Sequence, residues 1–250
     1  MRSPNVPAEA RGEDITKASE PLLLTNGQRI PVHIRSSQRA QRILLHVSVF
    51  DGNVEIVLPT GAMASEGLRF AASQTDWIAE QLSRIGSAVP FADGAVFPLL
   101  GKQVIIRRID SFSALPRLVN GKLIVGGRQE TLPGRVRRWI RYRAMDEIRP
   151  RVEEMEKKIG CRHAKISLRD TRSRWGSCSR VGNLNFSWRL VMAPEDILNY
   201  VVAHEVAHLR ELNHSAPFWA LVDTLCSDVG QARSWLKANG AGLHRFGRDN

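Results

Sequence analysis

Apolar and polar residues alternate along the first third of the chain, then give way to helical spacing. Ile30, Val32 and Ile34 alternate with other residues over 29–34, and the segments 43–49 and 54–58 have the same strand-like texture. The turn Asp51-Gly52-Asn53 between the latter two predicts a hairpin, which Pro59-Thr60-Gly61 ends. Leu68, Ala71, Ala72, Trp77, Ile78 and Leu82 then recur at near-helical intervals. This predicts one helix over 65–85 with Trp77 as a core anchor. Short strands are expected again around 95–100, 103–107 and 122–125. Residues 1–20 are polar, carry Pro4 and Pro7 and show no periodicity, which predicts a disordered tail.

The second half has a different texture. Residues 134–158 are helical in composition; Pro150 is expected to kink or divide that stretch, and Gly160 to cap it. Strand-like segments at 165–169 and 184–190 flank the polar run 170–182. A helix is expected to start near Pro194, since proline is favoured in a first turn, and Glu195 and Asp196 complement the positive end of its dipole. The pattern is α+β: a tail over 1–20, a β-rich module over 21–128, and a compact domain over 129–250 with a short sheet and a buried helix.

That last helix carries His204-Glu205-Val206-Ala207-His208. Residues i and i+4 share one helix face, so both imidazoles can reach one ion. Zinc suits such nitrogen donors. Glu205 is one step around the helix, beside the metal without binding it, where it can take a proton from water. A catalytic zinc usually has three protein ligands and an open position. His214 is the candidate third, because Leu209-Arg210-Glu211-Leu212-Asn213 lets the helix end and the chain turn back. Ser215 is placed to cap a new helix through Ala216, Pro217 and Phe218.

With seven histidines in the chain, a chance match to this pattern has a probability of about 1%. Ile197, Leu198, Val201, Val202, Val206 and Leu209 make the helix apolar over most of its circumference. Two histidines and a glutamate are costly to bury there unless a metal satisfies them. The alternatives are unrelated core or surface histidines, or a structural metal with Glu205 idle.

Charge and cysteine content add boundary conditions. Thirty-six basic against 25 acidic residues leave +11, and residues 131–180 alone hold 15 Lys/Arg against 6 Asp/Glu. Within 135–143 the acid-free run Arg135, Arg137, Arg138, Arg141 and Arg143 surrounds Trp139. It reads either as a nucleic-acid footprint or as a solvated helix face. Cys161, Cys178 and Cys226 are too few and too far apart for a disulfide framework or a Cys-x-x-Cys site. No apolar run approaches the roughly 20 residues that cross a bilayer, and the N-terminus lacks the apolar segment of a signal peptide. A cytoplasmic protein with no membrane partner is expected.

The stretches Arg172-Ser173-Arg174-Trp175-Gly176-Ser177-Cys178-Ser179, Gly182-Asn183-Leu184 and Ser187-Trp188-Arg189-Leu190 resemble the YgjP-like metallopeptidases. So do His204-Glu205-Val206-Ala207-His208-Leu209, Asn213-His214-Ser215 and Phe218-Trp219. That family is related to the SprT-like and WLM proteases, small zincins. The resemblance is strongest over 165–222 and extends more weakly to Arg39-Ala40-Gln41-Arg42 and Asp76-Trp77-Ile78. It implies a zincin-like catalytic domain, zinc on His204, His208 and His214, Glu205 as general base, and a peptide or protein substrate. Phe186-Ser187 departs from the Leu-Asn of many relatives, which bears on substrate preference.

By analogy with edge strands in related zincins, Leu184, Asn185, Phe186 and Ser187 are expected to pair with an extended substrate. The competing reading has Leu184, Phe186 and Trp188 alternating into the core. Two rival functions stand beside the peptidase: a DNA-associated protein, as among SprT-like relatives, and a zinc-stabilised scaffold without catalysis.

Overall fold

The computed structural model describes residues 21–24, 27–48, 52–111, 115–171 and 174–248. The expected tail over 1–20, Asp51 of the hairpin turn, and Arg172 and Ser173 of the arginine-rich motif lie outside them. The fold is α+β, and the chain divides into two units, Met1–Ile85 and Gly86–Asn250, each with its own core.

In the first unit β1 (Leu22–Leu23) pairs with β2 (Arg29–Ile30). A second sheet combines β3 (Val32–Ser37), β4 (Leu44–Val47) and β5 (Val54–Pro59) in the order β3-β5-β4. The expected hairpin is the antiparallel β4–β5 pair, and β3 adds to it in parallel. Alternation places Val32, Ile34, Val54, Ile56 and Leu58 in the core. The single helix expected over 65–85 is two, α1 (Ala64–Ala72) and α2 (Thr75–Ile85). At the break Ser73 Oγ donates to the Phe70 carbonyl at 2.8 Å, the local bond by which serine competes with the helical ladder. The break sets the face of α2: Ile78 is buried and Trp77, one step around, is 40% exposed, so Trp77 is not the core anchor.

In the second unit β6 (Val96–Leu99), β7 (Lys102–Ile109), β8 (Arg117–Val119) and β9 (Lys122–Gly126) form a sheet in the order β6-β7-β9-β8. Its buried residues Phe97, Val104, Ile106, Leu123 and Val125 share one core with helix α3 (Leu132–Ile159). The division at 85/86 therefore differs from the boundary read at 128/129, because these strands have their apolar partners on α3. That helix buries Leu132, Val136, Ile140, Ala144, Ile148 and Val152, a stripe at four-residue spacing. It continues through Pro150 without dividing; Ile148 and Val152, buried on either side, hold the turn where proline lacks its N–H. Gly160, at φ 68°, ends it in the left-handed conformation that glycine adopts without strain.

The next sheet positions the site. It contains β10 (Lys165–Arg169), β11 (Gly176–Cys178) and β12 (Asn183–Ser187), in the order β10-β12-β11. The strand expected over 184–190 stops at Ser187, whose Oγ accepts from Arg189 N at 3.3 Å and caps a 3-10 turn over Trp188–Met192. Helices α4 (Glu195–Ala207), α5 (Ala216–Leu225) and α6 (Val229–Asn239) follow. Arg151 of α3 fastens the first turn of α4, donating to Asn199 Oδ1 at 2.6 Å and pairing with Glu195. Among the described residues no helix is long and apolar enough to cross a membrane.

Candidate metal centre

Helix α4 is buried nearly all round, as its sequence implies, and Glu205 on it is only 6% exposed. His204 is half-buried on the same helix, and His208 stands at its C-cap. The chain turns back as Glu211 N bonds to the Ala207 carbonyl at 2.9 Å. The Glu211 carbonyl meets His208 Nδ1 at 2.9 Å. A neutral ring donating there keeps Nε2 free as a lone-pair donor. His214 arrives on the loop before α5, exposed. Ser215 is at the N-cap position of α5, but its side chain makes no cap bond.

Among the described residues His204, His208 and His214 form a group that can hold one metal, with ligand atoms all within 4.8 Å of one another. His204 Nε2 lies 3.0 Å from His214 Nε2. Two imidazole lone pairs repel at that separation unless a proton or a cation lies between them. His204 Nδ1 is buried with no hydrogen-bond partner among the described residues, so Nε2 carries the useful interaction of this ring. Burial first, then the two neighbouring histidines, push His204 down to about 4. Burial likewise lowers His208. Both are held as neutral imidazoles, the form that binds metal. These residues therefore fit zinc by donor chemistry.

Aromatic residues hold the rings. Phe218 stacks on His208 at a centroid distance of 4.5 Å, and Tyr200 meets His204 edge-on at 5.9 Å. Trp219 lies 5.9 Å from His204 and 5.8 Å from His214, with the Arg233 guanidinium 5.0 Å over its face. Tyr200 is a packing residue, as its place one turn before His204 suggests. The sequence places Phe218 on a helix after Ser215 and both Phe218 and Trp219 in the family resemblance, without a role at the rings; that role follows from α5 folding back on α4.

Burial pushes the Glu205 carboxyl up to about 7, against the pull of the Arg174 guanidinium. Strand β11 lies against it. A Cβ built on Gly176 would sit 2.5 Å from Glu205 Cγ and 2.6 Å from Oε1. Cys178, on the same strand, is pushed up to about 11 by burial and then by the nearby Glu205 charge. It is a neutral thiol near neutral pH and lies outside the histidine group.

The four residues expected to present substrate are differently placed. Strand β12 is the middle strand, bonded to β10 on one side and β11 on the other, so neither edge is open to an added strand. Leu184, Phe186 and Ser187 are fully buried, and Asn185 donates to Ser177 Oγ at 3.4 Å. This is the alternation into the core that the sequence also allowed.

The basic run of α3 is engaged within the chain at several points. Arg137 donates to the Gly247 carbonyl at 3.0 Å, Arg141 to the Leu168 carbonyl at 3.3 Å, and Arg143 pairs with Glu147.

The three convergent imidazoles form a donor set that suits a metal ion, and the buried Glu205 carboxyl is on the same helix as two of them. The chain belongs to the YgjP-like family, whose metallopeptidase-domain model matches residues 41–239. The resemblance read from the sequence is thereby borne out. No curated protein matches the chain. It is similar to the crystal structure of the metallopeptidase zymogen of Pyrococcus abyssi abylysin, at 19% identity over 36% of this chain and 93% of that one, with a TM-score of 0.33. Family membership supports a metal-dependent peptidase acting on peptide or protein substrates.

Proposed function

We propose that this protein is a zinc peptidase in which His204, His208 and His214 hold the ion and Glu205 is the general base. The observation that supports it most is the convergence of three ring nitrogens within 4.8 Å next to a buried carboxylate on the same helix. Bound there, zinc would supply Lewis acidity, acidifying water and polarising the scissile carbonyl. Glu205 takes the proton of the attacking water and returns it to the leaving amine as the peptide bond breaks. A group whose burial gives it a proton affinity near neutrality is suited to both transfers. The His208 bond to the Glu211 carbonyl fixes that ring's orientation.

An extended substrate runs along β11 rather than β12, because β11 is the edge of its sheet and lies against Glu205. Nucleic-acid association would need cations free of protein partners, and Arg137, Arg141 and Arg143 have partners within the chain. The test is Glu205→Gln. We expect it to retain stoichiometric zinc by elemental analysis and to lose roughly 10²–10⁴-fold in turnover of unfolded protein substrates. Full activity in the zinc-loaded variant refutes the assignment, and inactivity of the zinc-loaded parent on any peptide library favours the scaffold.

A further inference from the structure

Gly176 brings the backbone of the Trp175-Gly176-Ser177-Cys178 motif against the Glu205 side chain. Its φ lies outside the positive range found at other glycines of the chain, so the backbone does not call for glycine here. Its neighbours on β11, Ser177 and Cys178, carry side chains. What the position lacks is space. An ideal Cβ would lie 2.5 Å from Glu205 Cγ, 2.6 Å from Oε1 and 2.8 Å from Cδ, all well inside van der Waals contact. Beyond the two residues that flank Gly176 in the chain, the three nearest atoms all belong to Glu205. The carboxylate arm of Glu205 therefore rests on the bare Cα of an extended strand.

On this geometry we infer that Gly176 is a positioning residue for Glu205. The absent side chain is the seat that holds the carboxylate toward the histidines. The inference rests on the reading of Glu205 as the base. Its particular consequence follows from how the overlap is relieved. The obstructing atoms belong to one side chain, which can rotate, whereas β11 is bonded to β12 at Gly176, Ser177 and Cys178. A methyl at 176 thus displaces the catalytic carboxylate and leaves the strand where it is. The fold and the histidines tolerate the change; the chemistry does not.

The experiment compares Gly176→Ala, Glu205→Gln, Glu205→Ala and the double variant Gly176→Ala/Glu205→Ala, each as the full zinc-loaded chain. For Gly176→Ala we expect kcat to fall on the order of 10²-fold, with KM within about threefold and zinc content unchanged. In the Glu205→Ala background the obstructing atoms are gone. There Gly176→Ala should leave both the melting temperature and zinc content where Glu205→Ala alone puts them. Unchanged kcat in Gly176→Ala alongside an inactive Glu205→Gln overturns the positioning role and leaves the base assignment standing. An active Glu205→Gln overturns the base assignment, and the inference with it. If Gly176→Ala folds poorly, the double variant decides. Recovery of folding and zinc identifies Glu205 as the obstruction, and equal failure assigns Gly176 a purely structural role and overturns the proposal.

Discussion

Replacing Glu205 with Gln keeps the side chain's shape and removes its charge, which isolates the electrostatic cost of burying a carboxylate at this position. Burial pushes this carboxyl from 4.5 to about 7. Because the folded-state pKa is the higher one, the stabilising contribution is fully present below about 4.5 and is lost as pH rises through about 7. At roughly 1.4 kcal/mol per pH unit, a carboxyl held near 7 costs the metal-free fold about 3 kcal/mol at pH 8.5, where it is ionised in both states, and about 1 kcal/mol at pH 5, where it keeps its proton only in the folded chain. Burying the Gln amide adds an offset that does not depend on pH. The observable is therefore the change in the variant-minus-parent difference, about 2 kcal/mol in favour of the variant between those two pH values. Urea unfolding of chelator-stripped parent and Glu205→Gln, with matched m-values, measures it. A difference that is the same at pH 5 and pH 8.5 refutes the account, since it means Glu205 is not held near 7 in the folded chain.

Two further outcomes follow from the same geometry. His214 is exposed on a loop, so His214→Ala should fold normally yet bind zinc roughly 10²-fold more weakly in a chelator competition; unchanged affinity removes it from the ligand set. Arg189 is 7% exposed, donates to Asp170 Oδ1 at 2.9 Å and the Phe246 carbonyl at 2.7 Å, and lies 4.3 Å over the Trp188 ring. Arg189→Ala leaves those acceptors unpaired and should lower unfolding stability by about 3 kcal/mol. Arg189→Lys restores little, because an ammonium lacks the guanidinium fork.

How far each feature could be read in the sequence follows from how local its cause is. His204 and His208 are fixed by the 3.6-residue period of one helix, and His214 by a loop just long enough to turn back, so the donor group was legible residue by residue. The hairpin β4–β5 and the Gly160 cap are local in the same way. Features that depend on distant partners were not. Trp77 keeps helical spacing with Ile78, yet the break at Ser73 decides which of the two enters the core. Strand β12 alternates as an edge strand would, and only the parallel addition of β10 makes it central. The boundary near residue 128 follows a change in texture, whereas the strands before it share a core with the helix after it.

The tryptophan–glycine motif shows most clearly why such features resist reading. Trp175 packs on His244 at a centroid distance of 5.3 Å, and a Cβ on Gly240 would come within 3.0 Å of its ring. Gly176, the next residue, meets Glu205. The two neighbours thus meet different parts of the chain, Trp175 the C-terminal segment and Gly176 helix α4. Trp175 anchors the start of β11 to the C-terminal segment, and the anchored strand then offers Glu205 a backbone without a side chain. A bulky residue followed by an absent one has no periodicity and matches no helix or strand template, so composition and spacing carry no signal for it. Once α4 is laid against β11, the pair has a physical reading. The large side chain fixes the strand in place, and the missing one leaves room for Glu205.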